Sequence, residues 1–574
     1  MKTVFSYARP YKIPIIIALC LTFLELSVEL IQPLLIAKII DDGITAHDSS
    51  VVITWGSIMM GLAVLAFVSG IVNSYFSAHV AQSFAYDVRS ATFRHLQKMT
   101  LATFLTFQSS SLITRLTNDV TIIQNFLFMS LRIMTRAPLV VIGSLIMAFF
   151  VNVQLALLLL VTAPFLAIFL WVMVKQGVSI FASVQRRLDR VNRMAQENLR
   201  AMRLVKAYLR HAFETSRFNR VAEALQKDTV RALRTMELIL PVLLFFMNAS
   251  LMAVLWFGAK QIQTSSIQVG ELVAVLNYGL RMTGAFSMFS FLIMIFSRAK
   301  ASSERIEEVL VVESLEDVQK ERGDLPHWER LRFHDVSFSY KGSDRQALRN
   351  INFELKRGET LAIMGATGSG KSTLVQLIPR LFTPTSGEIV LGEQPLQRWS
   401  LSQLRELIGY VPQQSLLFTG TIADNLRWGA PDATDDELIE ATTSAQIHDA
   451  IQAFPNGYDT VIGQKGVNLS GGQKQRISIT RALIRKPELL ILDDSTSALD
   501  IQTEQRFLNA LQTLDVTTII ITQKVMTAER ADAILLLEDG QVVDYGTSEQ
   551  LAKRSKLYQR LIASQKESEG NENE

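Results

Sequence analysis

The sequence is poor in cysteine and in net charge. Cys20 is the single cysteine of the 574 residues, which excludes a disulfide framework, a Cys-rich zinc site and a CxxC redox pair. Lysine and arginine number 57 against 54 aspartates and glutamates, so the formal net charge is only +3. This balance gives the chain no general attraction for nucleic acid, and we expect no nucleic-acid partner.

Charged residues are also scarce for a soluble protein. They make up 19% of the chain, whereas soluble proteins carry about 25%. Hydrophobic residues reach 49%, and the mean hydropathy is +0.23. This composition excludes an intrinsically disordered chain, which needs low hydrophobicity and high net charge. The length of 574 residues indicates several domains of roughly 100–200 residues each.

The apolar excess lies in the first half of the chain. A membrane-crossing helix needs about 20 mostly apolar residues, and six stretches are candidates for such helices. The predicted spans are Ile15–Ile40, Val52–Phe76, Ala137–Val151, Leu155–Val174, Leu238–Gly258 and Gly270–Phe296. Lysines and arginines concentrate near the N-terminus and in the two long loops after the second and fourth spans. By the positive-inside rule, both termini are predicted to be cytoplasmic.

The second half has the pattern of a soluble α/β domain. From about Arg330, short β-like runs alternate with helical stretches, which is typical of a largely parallel sheet. The sequence Gly323-Asp-Leu-Pro326 breaks a charged helical stretch and indicates a linker. We expect a transmembrane domain over residues 1–305, a linker over 306–328, an α/β domain over 329–565 and a disordered acidic tail over 566–574.

A glycine-rich motif follows the apolar run Thr360–Met364. It has the form GxxxxGK[ST] and precedes a helical stretch, which is the arrangement of a phosphate-binding loop. Backbone N–H groups of such a loop surround the phosphates, its lysine reaches the β- and γ-phosphates, and its serine hydroxyl binds Mg²⁺. The residues are Gly365, Ala366, Thr367, Gly368, Ser369, Gly370, Lys371, Ser372 and Thr373.

An acidic element downstream supports the same site. Leu489–Asp493 is an apolar run that ends in an aspartate, and in phosphate-loop proteins such an aspartate holds the Mg²⁺. Alone this signal would be weak, because apolar runs that end in aspartate are common. In a chain that also has the phosphate loop, it predicts that Asp493 binds the metal beside Ser372.

Between these elements lies Leu469-Ser-Gly-Gly-Gln473. With the six predicted spans, this order of motifs resembles an ABC exporter half-transporter of the multidrug-resistance type, and the resemblance covers nearly the whole chain. It implies a six-helix all-α transmembrane domain followed by an α/β P-loop ATPase domain, in a bacterial cell membrane, with ATP and Mg²⁺ as ligands. It also implies dimerisation, since each signature motif serves the ATP site of the opposite subunit. The signature residues are Ser470, Gly471, Gly472 and Gln473.

The resemblance assigns further residues. Tyr340 stands at the place of the aromatic residue that stacks on adenine, and Gln413 at that of the Q-loop glutamine, which joins the metal site. Ser497–Asp500 looks like the D-loop. Two segments, Ser111–Asp119 and Gln196–Ala207, look like the cytoplasmic loops that carry coupling helices.

Three positions depart from the family's pattern. Asp494 stands where the family has a catalytic glutamate, and its shorter carboxylate would lie about 1 Å or more from the attacking water, which can cost about 100-fold in rate. Gln523 replaces the switch histidine, and its amide donates a hydrogen bond but cannot become cationic. Gln464 replaces a glutamate of the cross-talk loop. We interpret the first two changes as specialisation toward a site that binds ATP and hydrolyses it slowly.

This interpretation bears on assembly. A homodimer would contain two impaired sites, whereas the intact signature Ser470–Gln473 can complete a competent site on another chain. The sequence therefore predicts a heterodimer with a related half-transporter that supplies the missing glutamate and histidine. Membrane lipid is the other expected partner.

The cargo is less determined. Aromatic and methionine residues of the sixth span form an adaptable surface suited to hydrophobic cargo, although ordinary helix packing also explains them. They are Met282, Phe286, Met288, Phe289, Phe291, Met294 and Phe296. Glu25 and Glu29 of the first span and Arg281 of the sixth are ionisable and therefore functional candidates. The two carboxylates are consistent with a cationic cargo, and snorkelling or an intersubunit ion pair is the alternative. The alternatives to multidrug export are a lipid or peptide exporter and an ATP-gated channel or regulator.

Overall fold

The structure is a computed structural model that describes residues 2–264, 266–312, 327–343 and 345–571. The chain divides into two units. A helical unit comprises residues 1–97 and 108–312, and an α/β unit comprises residues 98–107 and 313–574. The predicted linker over 306–328 lies largely outside the described residues.

Long helices form the first part of the chain. The basic segments between the apolar runs are also largely helical. The helices are α1 (Lys2–Phe5), α2 (Lys12–Lys38), α3 (Ser49–Lys98), α4 (Leu101–Phe104), α5 (Ser109–Thr114), α6 (Val120–Met129), α7 (Arg136–Val151), α8 (Val153–Arg200), α9 (Met202–Ala207), α10 (His211–Glu237), α11 (Ile239–Gln263) and α12 (Val269–Leu310).

Five helical segments of the described chain are long and apolar enough to cross a membrane. They are Thr3–Ile44, Ser49–Lys98, Ser109–Val151, Val153–Arg200 and His211–Gln263. These segments contain the first five predicted spans. The sixth predicted span lies within α12, which is not one of the five, so the count of six spans stays a prediction.

The helical core forms where α7, α8, α11 and α12 pack together. Asn152 alone separates α7 from α8, and its side-chain Oδ1 accepts a hydrogen bond from the backbone N of Leu155 at 3.0 Å. This cap satisfies a free N–H of the next helix and allows a turn one residue wide. Fully buried side chains below it include Leu159, Leu243 and Tyr278.

The α/β unit begins its sheets at Arg330. Its strands are β1 (Arg330–Ser339), β2 (Gln346–Lys356), β3 (Thr360–Met364), β4 (Ser386–Leu391), β5 (Gln394–Pro395), β6 (Ile408–Val411), β7 (Gly420–Thr421), β8 (Val461–Ile462), β9 (Leu489–Asp493), β10 (Thr517–Ile521), β11 (Ala533–Glu538) and β12 (Gln541–Gly546). Its helices are α13 (Lys371–Leu377), α14 (Leu401–Leu407), α15 (Ile422–Arg427), α16 (Asp435–Ser444), α17 (His448–Gln452), α18 (Gly471–Leu483), α19 (Ile501–Gln512), α20 (Val525–Ala528), α21 (Ser548–Arg554) and α22 (Lys556–Asn571).

Two main sheets give the unit its layers. The first has the strand order β12-β11-β3-β10-β9-β6 and is parallel except for β12. The second is antiparallel with the order β2-β1-β4-β5. The strands β3, β9 and β10 are apolar and almost fully buried, as expected when helices cover both faces of a parallel sheet. The predicted α/β class is confirmed.

The last helix extends into the predicted tail. Helix α22 runs to Asn571, residues 572–574 lie outside the described chain, and the disorder of the tail from residue 566 stays a prediction. Lysine, glutamate and glutamine are good helix formers and can extend a helix that is already anchored. The anchor is the fully buried Tyr558, which packs in the core at the start of α22.

Candidate functional site

The phosphate loop and the acidic residues meet at one edge of the parallel sheet. In the sheet register, Ile521 of β10 pairs with both Ile363 of β3 and Asp493 of β9. Because these strands are parallel, the loops that follow their carboxyl ends emerge at the same edge. The residues in those loops are Gly365 after β3, Gln413 after β6, Asp494 after β9 and Gln523 after β10.

A cleft of about 410 Å³ opens at this edge. Most of the residues that line it were predicted from the sequence. The predicted site residues that line it are Tyr340, Thr367, Gly368, Gly370, Lys371, Ser372, Thr373, Gln413, Asp493, Asp494 and Gln523. The signature residues Ser470–Gln473 are not among the lining residues, so one chain does not bring all the predicted nucleotide contacts together.

Glycine is required in the phosphate loop for steric reasons. Gly365 has φ +153°, and a Cβ there would lie 2.1 Å from the carbonyl oxygen of Leu537. Gly370 has φ +102°, and its Cβ would lie 2.9 Å from the carbonyl oxygen of Ala347. Neither backbone neighbour can move freely, so only glycine fits these positions. The loop can therefore curl tightly and present backbone N–H groups to a phosphate.

Lys371 is the cation that the phosphate loop contributes to the cleft. Its Nζ donates to the backbone carbonyls of Gly365 at 2.9 Å and Ala366 at 2.8 Å. The side chain is only 9% exposed, and burial lowers the pKa of Lys371. A poorly hydrated ammonium held by neutral carbonyls favours an anionic ligand beside it.

Ser372 and Asp493 form the candidate metal pair. The Ser372 hydroxyl donates to Oδ1 of Asp493 at 2.7 Å, and the Tyr410 hydroxyl lies 3.4 Å from its Oδ2. Burial raises the pKa of Asp493, and it raises that of Tyr410 to about 12. A hydroxyl and a carboxylate this close form the hard oxygen donor set that Mg²⁺ prefers. The residues present therefore fit the predicted metal.

Asp494 and Gln413 line the cleft and contact each other. The amide Nε2 of Gln413 lies 3.3 Å from Oδ2 of Asp494, which leaves the amide oxygen of Gln413 as the atom that could bind a metal. Asp494 has φ +49°, and its N–H donates to the carbonyl of Ile521 at 3.2 Å. Burial raises the pKa of Asp494. The carboxylate thus lines the cleft on a constrained backbone.

Tyr340 forms a wall of the same cleft. Its ring contacts the edges or faces of Phe338 and Phe382, with centroids 4.9 and 5.3 Å away. Its hydroxyl lies 2.9 Å from Oγ1 of Thr373, next to the candidate metal ligand Ser372. Aromatic neighbours fix the orientation of the ring, and such a ring can stack on a base.

The signature motif begins helix α18. The Ser470 hydroxyl accepts from the N–H of Gln473 at 3.3 Å, and the Gln473 side chain accepts from the N–H of Ser470 at 2.9 Å. This capping box defines the helix start. Gln475 then bonds Ser497 and Ala498 of the predicted D-loop, at 3.2 and 2.9 Å. The motif and the D-loop are therefore one connected element. Gln464 lies in a 3₁₀ turn at Gln464–Gly466.

The helical unit contains a separate cluster of four charges. Arg136 donates to Glu25 and Glu29 at 2.7 Å each, and Arg281 bonds Glu29 at 3.0 Å and Gln32 at 3.1 Å. Both glutamates are thus paired within their own chain. Arg136 was missed in the sequence because it lies one residue before the predicted third span, whereas the structure places it inside the helical segment Ser109–Val151.

The two segments that look like coupling loops both contain short helices. Gln196–Ala207 contains α9, and Ser111–Asp119 overlaps α5. Asp119 is buried against α12, where it accepts from Ser302 and Arg305 at 2.9 and 2.8 Å. In the same loop, α4 belongs to the α/β unit, where Leu101 and Ala102 pack against the core.

Comparisons with known proteins agree with this architecture. Residues 15–286 match the family described as the ABC transporter transmembrane region, and residues 348–497 match the ABC transporter family. The chain is 53% identical over 574 residues to the ABC transporter ATP-binding protein YfiB of Bacillus subtilis, with 100% of both chains covered. It is 30% identical over 560 residues to the ATP-dependent lipid A-core flippase of Escherichia coli K12, covering 96% and 95% of the chains.

A solved structure shares the fold. It is described as a bacterial Atm1-family ABC exporter with ATP bound, and it matches with a TM-score of 0.81 and 24% identity over 96% of this chain and 98% of the other. The chain therefore belongs to the ABC transporters. It is an ABC exporter with its transmembrane and ATP-binding domains in one polypeptide, and its ATPase domain drives transport.

Proposed function

We propose that this chain is the subunit that contributes the degenerate ATP site to a heterodimeric exporter of hydrophobic or amphipathic compounds. The observation that carries the proposal is the composition of one cleft. Lys371, Ser372 and Asp493 line the cleft in an arrangement that suits Mg-ATP. The two positions expected to drive hydrolysis carry Asp494 and Gln523 in place of a glutamate and a histidine. On this proposal the site binds ATP but hydrolyses it slowly.

The chemistry follows from the lining residues. Lys371 would bind the β- and γ-phosphates, and Tyr340 would stack on the base. Ser372, Asp493 and Gln413 would hold Mg²⁺, which neutralises phosphate charge. Asp494 would accept a proton from the attacking water only over a longer distance than a glutamate, and the neutral Gln523 would add no positive charge at the γ-phosphate. The nucleotide should remain bound through many cycles of the other site.

The need for a second chain has two supports. The signature Ser470–Gln473 lies outside the lining of its own chain's cleft. Large apolar side chains are also exposed in both units, among them Leu204 and Tyr208 near α9, and Phe418 and Trp428 in the α/β unit. Exposed apolar groups of this size are typical of surfaces that a partner covers.

The decisive experiment restores the missing groups. In the assembled complex, Asp494→Glu combined with Gln523→His should raise hydrolysis at this site by about 10- to 100-fold, since the base regains its reach. The partner's own catalytic glutamate is replaced by glutamine, so that the remaining ATPase reports this site. A matched control, Asp432→Glu with Gln512→His at exposed positions, should change nothing. No gain from the repair would remove both residues from the explanation.

The chain without a partner gives a second test. Purified and placed in lipid, it should bind ATP and hydrolyse it slowly. Brisk ATPase activity coupled to transport by this chain alone would show that a homodimer suffices, and the heterodimer proposal would be lost.

The cargo is proposed from the helical unit. Glu25 and Glu29 are already paired with Arg136 and Arg281, so the cluster has no uncompensated negative charge with which to select cations. Along the sixth predicted span, Met282 and Phe286 are buried in the core, whereas other members of the aromatic-methionine set are exposed. The exposed members are Met288, Phe291 and Phe296, and the side chains of Phe289 and Met294 lie outside the described residues.

A lipid exporter is the second candidate. It is favoured by the relative in Escherichia coli that is described as a lipid A-core flippase. Proteoliposomes that contain the complex separate the candidates through two probes, a fluorescent phospholipid and a hydrophobic cationic dye. ATP-driven accumulation of the dye supports multidrug export, and movement of the lipid alone supports the second candidate. An ATP-gated channel would let the probe equilibrate without accumulation.

A further inference from the structure

One buried carboxylate, that of Glu504, contacts both the loop that carries Asp494 and the loop that carries Gln523. Glu504, on helix α19, is only 4% exposed. Its Oε1 accepts from the hydroxyls of Thr496 at 2.8 Å and Thr527 at 3.0 Å, and its Oε2 forms an ion pair with Lys524. A buried charge persists only when its oxygens are satisfied, and here three donors converge on it.

Two of the three donors lie in the loops after β9 and β10, which also carry Asp494 and Gln523, and the third, Thr527, lies on helix α20. Thr496 follows Asp494 by two residues in the loop after β9, and Lys524 follows Gln523 directly in the loop after β10. A shift of Glu504 would therefore move both loops together. The hydrogen bond between Ser372 and Asp493 involves none of these residues.

The loop after β10 is held from a second direction. Gln565 of helix α22 donates from its amide to the carbonyl of Gln523, and its amide oxygen accepts from the N–H of Val525 at 2.8 Å. This contact fixes the backbone around residue 523, whereas Glu504 fixes the neighbouring Lys524 side chain. The C-terminal helix and α19 thus clamp the same short segment.

We infer that Glu504 is a positioning residue for hydrolysis, which sets the mutual placement of residues 494 and 523 without touching the nucleotide. The inference rests on the proposed function in one respect, which is the slow ATP hydrolysis expected of the site that contains Asp494 and Gln523. A glutamine at position 504 keeps the size and can accept the threonine hydrogen bonds, but it leaves the Lys524 ammonium without its ion pair. Residues 494 and 523 should then lose their common placement, while the phosphate loop keeps its shape.

The test uses the assembled complex with Asp494→Glu and Gln523→His in this chain and the partner's catalytic glutamate replaced by glutamine. Adding Glu504→Gln should lower kcat by about 10-fold or more, since ~1 Å misplacement can cost about 100-fold, with KM for ATP unchanged. Loss of the ion pair with Lys524 should also lower the melting temperature, so kcat is measured well below that temperature. Glu393→Gln, in an exposed turn, is the matched control. Lys524→Gln should reproduce the loss, and Lys524→Arg, which keeps the charge, should restore most of the rate.

Each outcome decides the inference. An unchanged kcat in Glu504→Gln overturns it, and so does a fall of kcat that is accompanied by a higher KM for ATP or by unfolding at the assay temperature. Should Glu504→Gln fail to fold, Gln565→Ala carries the same expectation for kcat, because it releases the loop from the other side. If the chain alone proves to be an active ATPase, the heterodimer proposal fails, and Glu504→Gln is then measured in that homodimer with the same expected loss.

Discussion

The charges of the helical unit and those of the nucleotide cleft are arranged in opposite ways. In the helical unit, two glutamates and two arginines pair with one another, so the formal charge of the cluster is zero. In the cleft, Lys371 donates to two backbone carbonyls, and Asp493 accepts from Ser372 and Tyr410. Neutral partners orient these charges, which also act on one another across the cleft without a direct hydrogen bond between Lys371 and Asp493 among the described contacts.

The two arrangements of partly buried charge have different consequences. Opposite charges that cancel locally fix the helices that carry them, because separating them would leave an unpaired charge at low dielectric. Charges held by neutral groups keep their attraction for an ionic ligand and lose their desolvation cost when the ligand arrives. The first arrangement stabilises a conformation, and the second prepares a binding site.

The largest effect is expected in the cleft. Lys371→Gln removes the one charge of the phosphate loop and should weaken ATP binding by about 100-fold, the cost of losing a strong charged donor to a phosphate. Folding should be unaffected, because the lysine's own partners are carbonyls at the loop edge. Equilibrium binding of a fluorescent ATP analogue measures the loss. Lys553→Gln on the exposed face of α21 is the control, and equal affinities of the two variants would contradict the role of Lys371.

The helical cluster should respond in stability. Arg136→Gln leaves Glu25 without its arginine and should lower the free energy of unfolding by about 2 kcal/mol, less than for a fully buried pair because the cluster is partly exposed. Thermal unfolding in detergent measures the change, and the exposed Arg186→Gln serves as control. ATP affinity should not change.

A double variant tests whether charge balance causes that effect. Arg136→Gln with Glu25→Gln again leaves one arginine and one glutamate, Arg281 and Glu29, which remain paired. It should recover part of the lost stability. If the double variant is less stable than the single one by the full effect of Glu25→Gln alone, the two residues are not coupled, and the cluster is not a balanced unit.

The cleft was predictable because its signals are local. Each signal lies at the end of a short apolar strand. The phosphate loop follows β3, Asp493 ends β9, and Gln413 and Gln523 come two residues after β6 and β10. Parallel strands then bring these loops to one edge without further information. The positions of Asp494 and Gln523 inside the cleft follow from the same rule.

The remaining features depend on contacts between distant segments. Arg136 is separated from Glu25 by 111 positions, and Glu504 from Lys524 by 20, so no local pattern announces either pair. The position of α4 was missed because its four residues are too few for a helical period to be recognised. The packing of α22 in the core through Tyr558 likewise depends on distant segments and has no local signal in the sequence.

The smallest expected effect tests how a neutral contact contributes to the cleft. Tyr340→Phe removes the hydrogen bond to Thr373 but keeps the ring and its packing against Phe338 and Phe382. Since stacking and not the hydroxyl is expected to hold the base, ATP affinity should change by less than about threefold, within the ~1 kcal/mol of one neutral hydrogen bond. Tyr340→Ala removes the ring and should weaken binding clearly more, by about 1–3 kcal/mol. Equal losses in the two variants would assign the contribution to the hydroxyl, and the cleft would then bind through its polar groups alone.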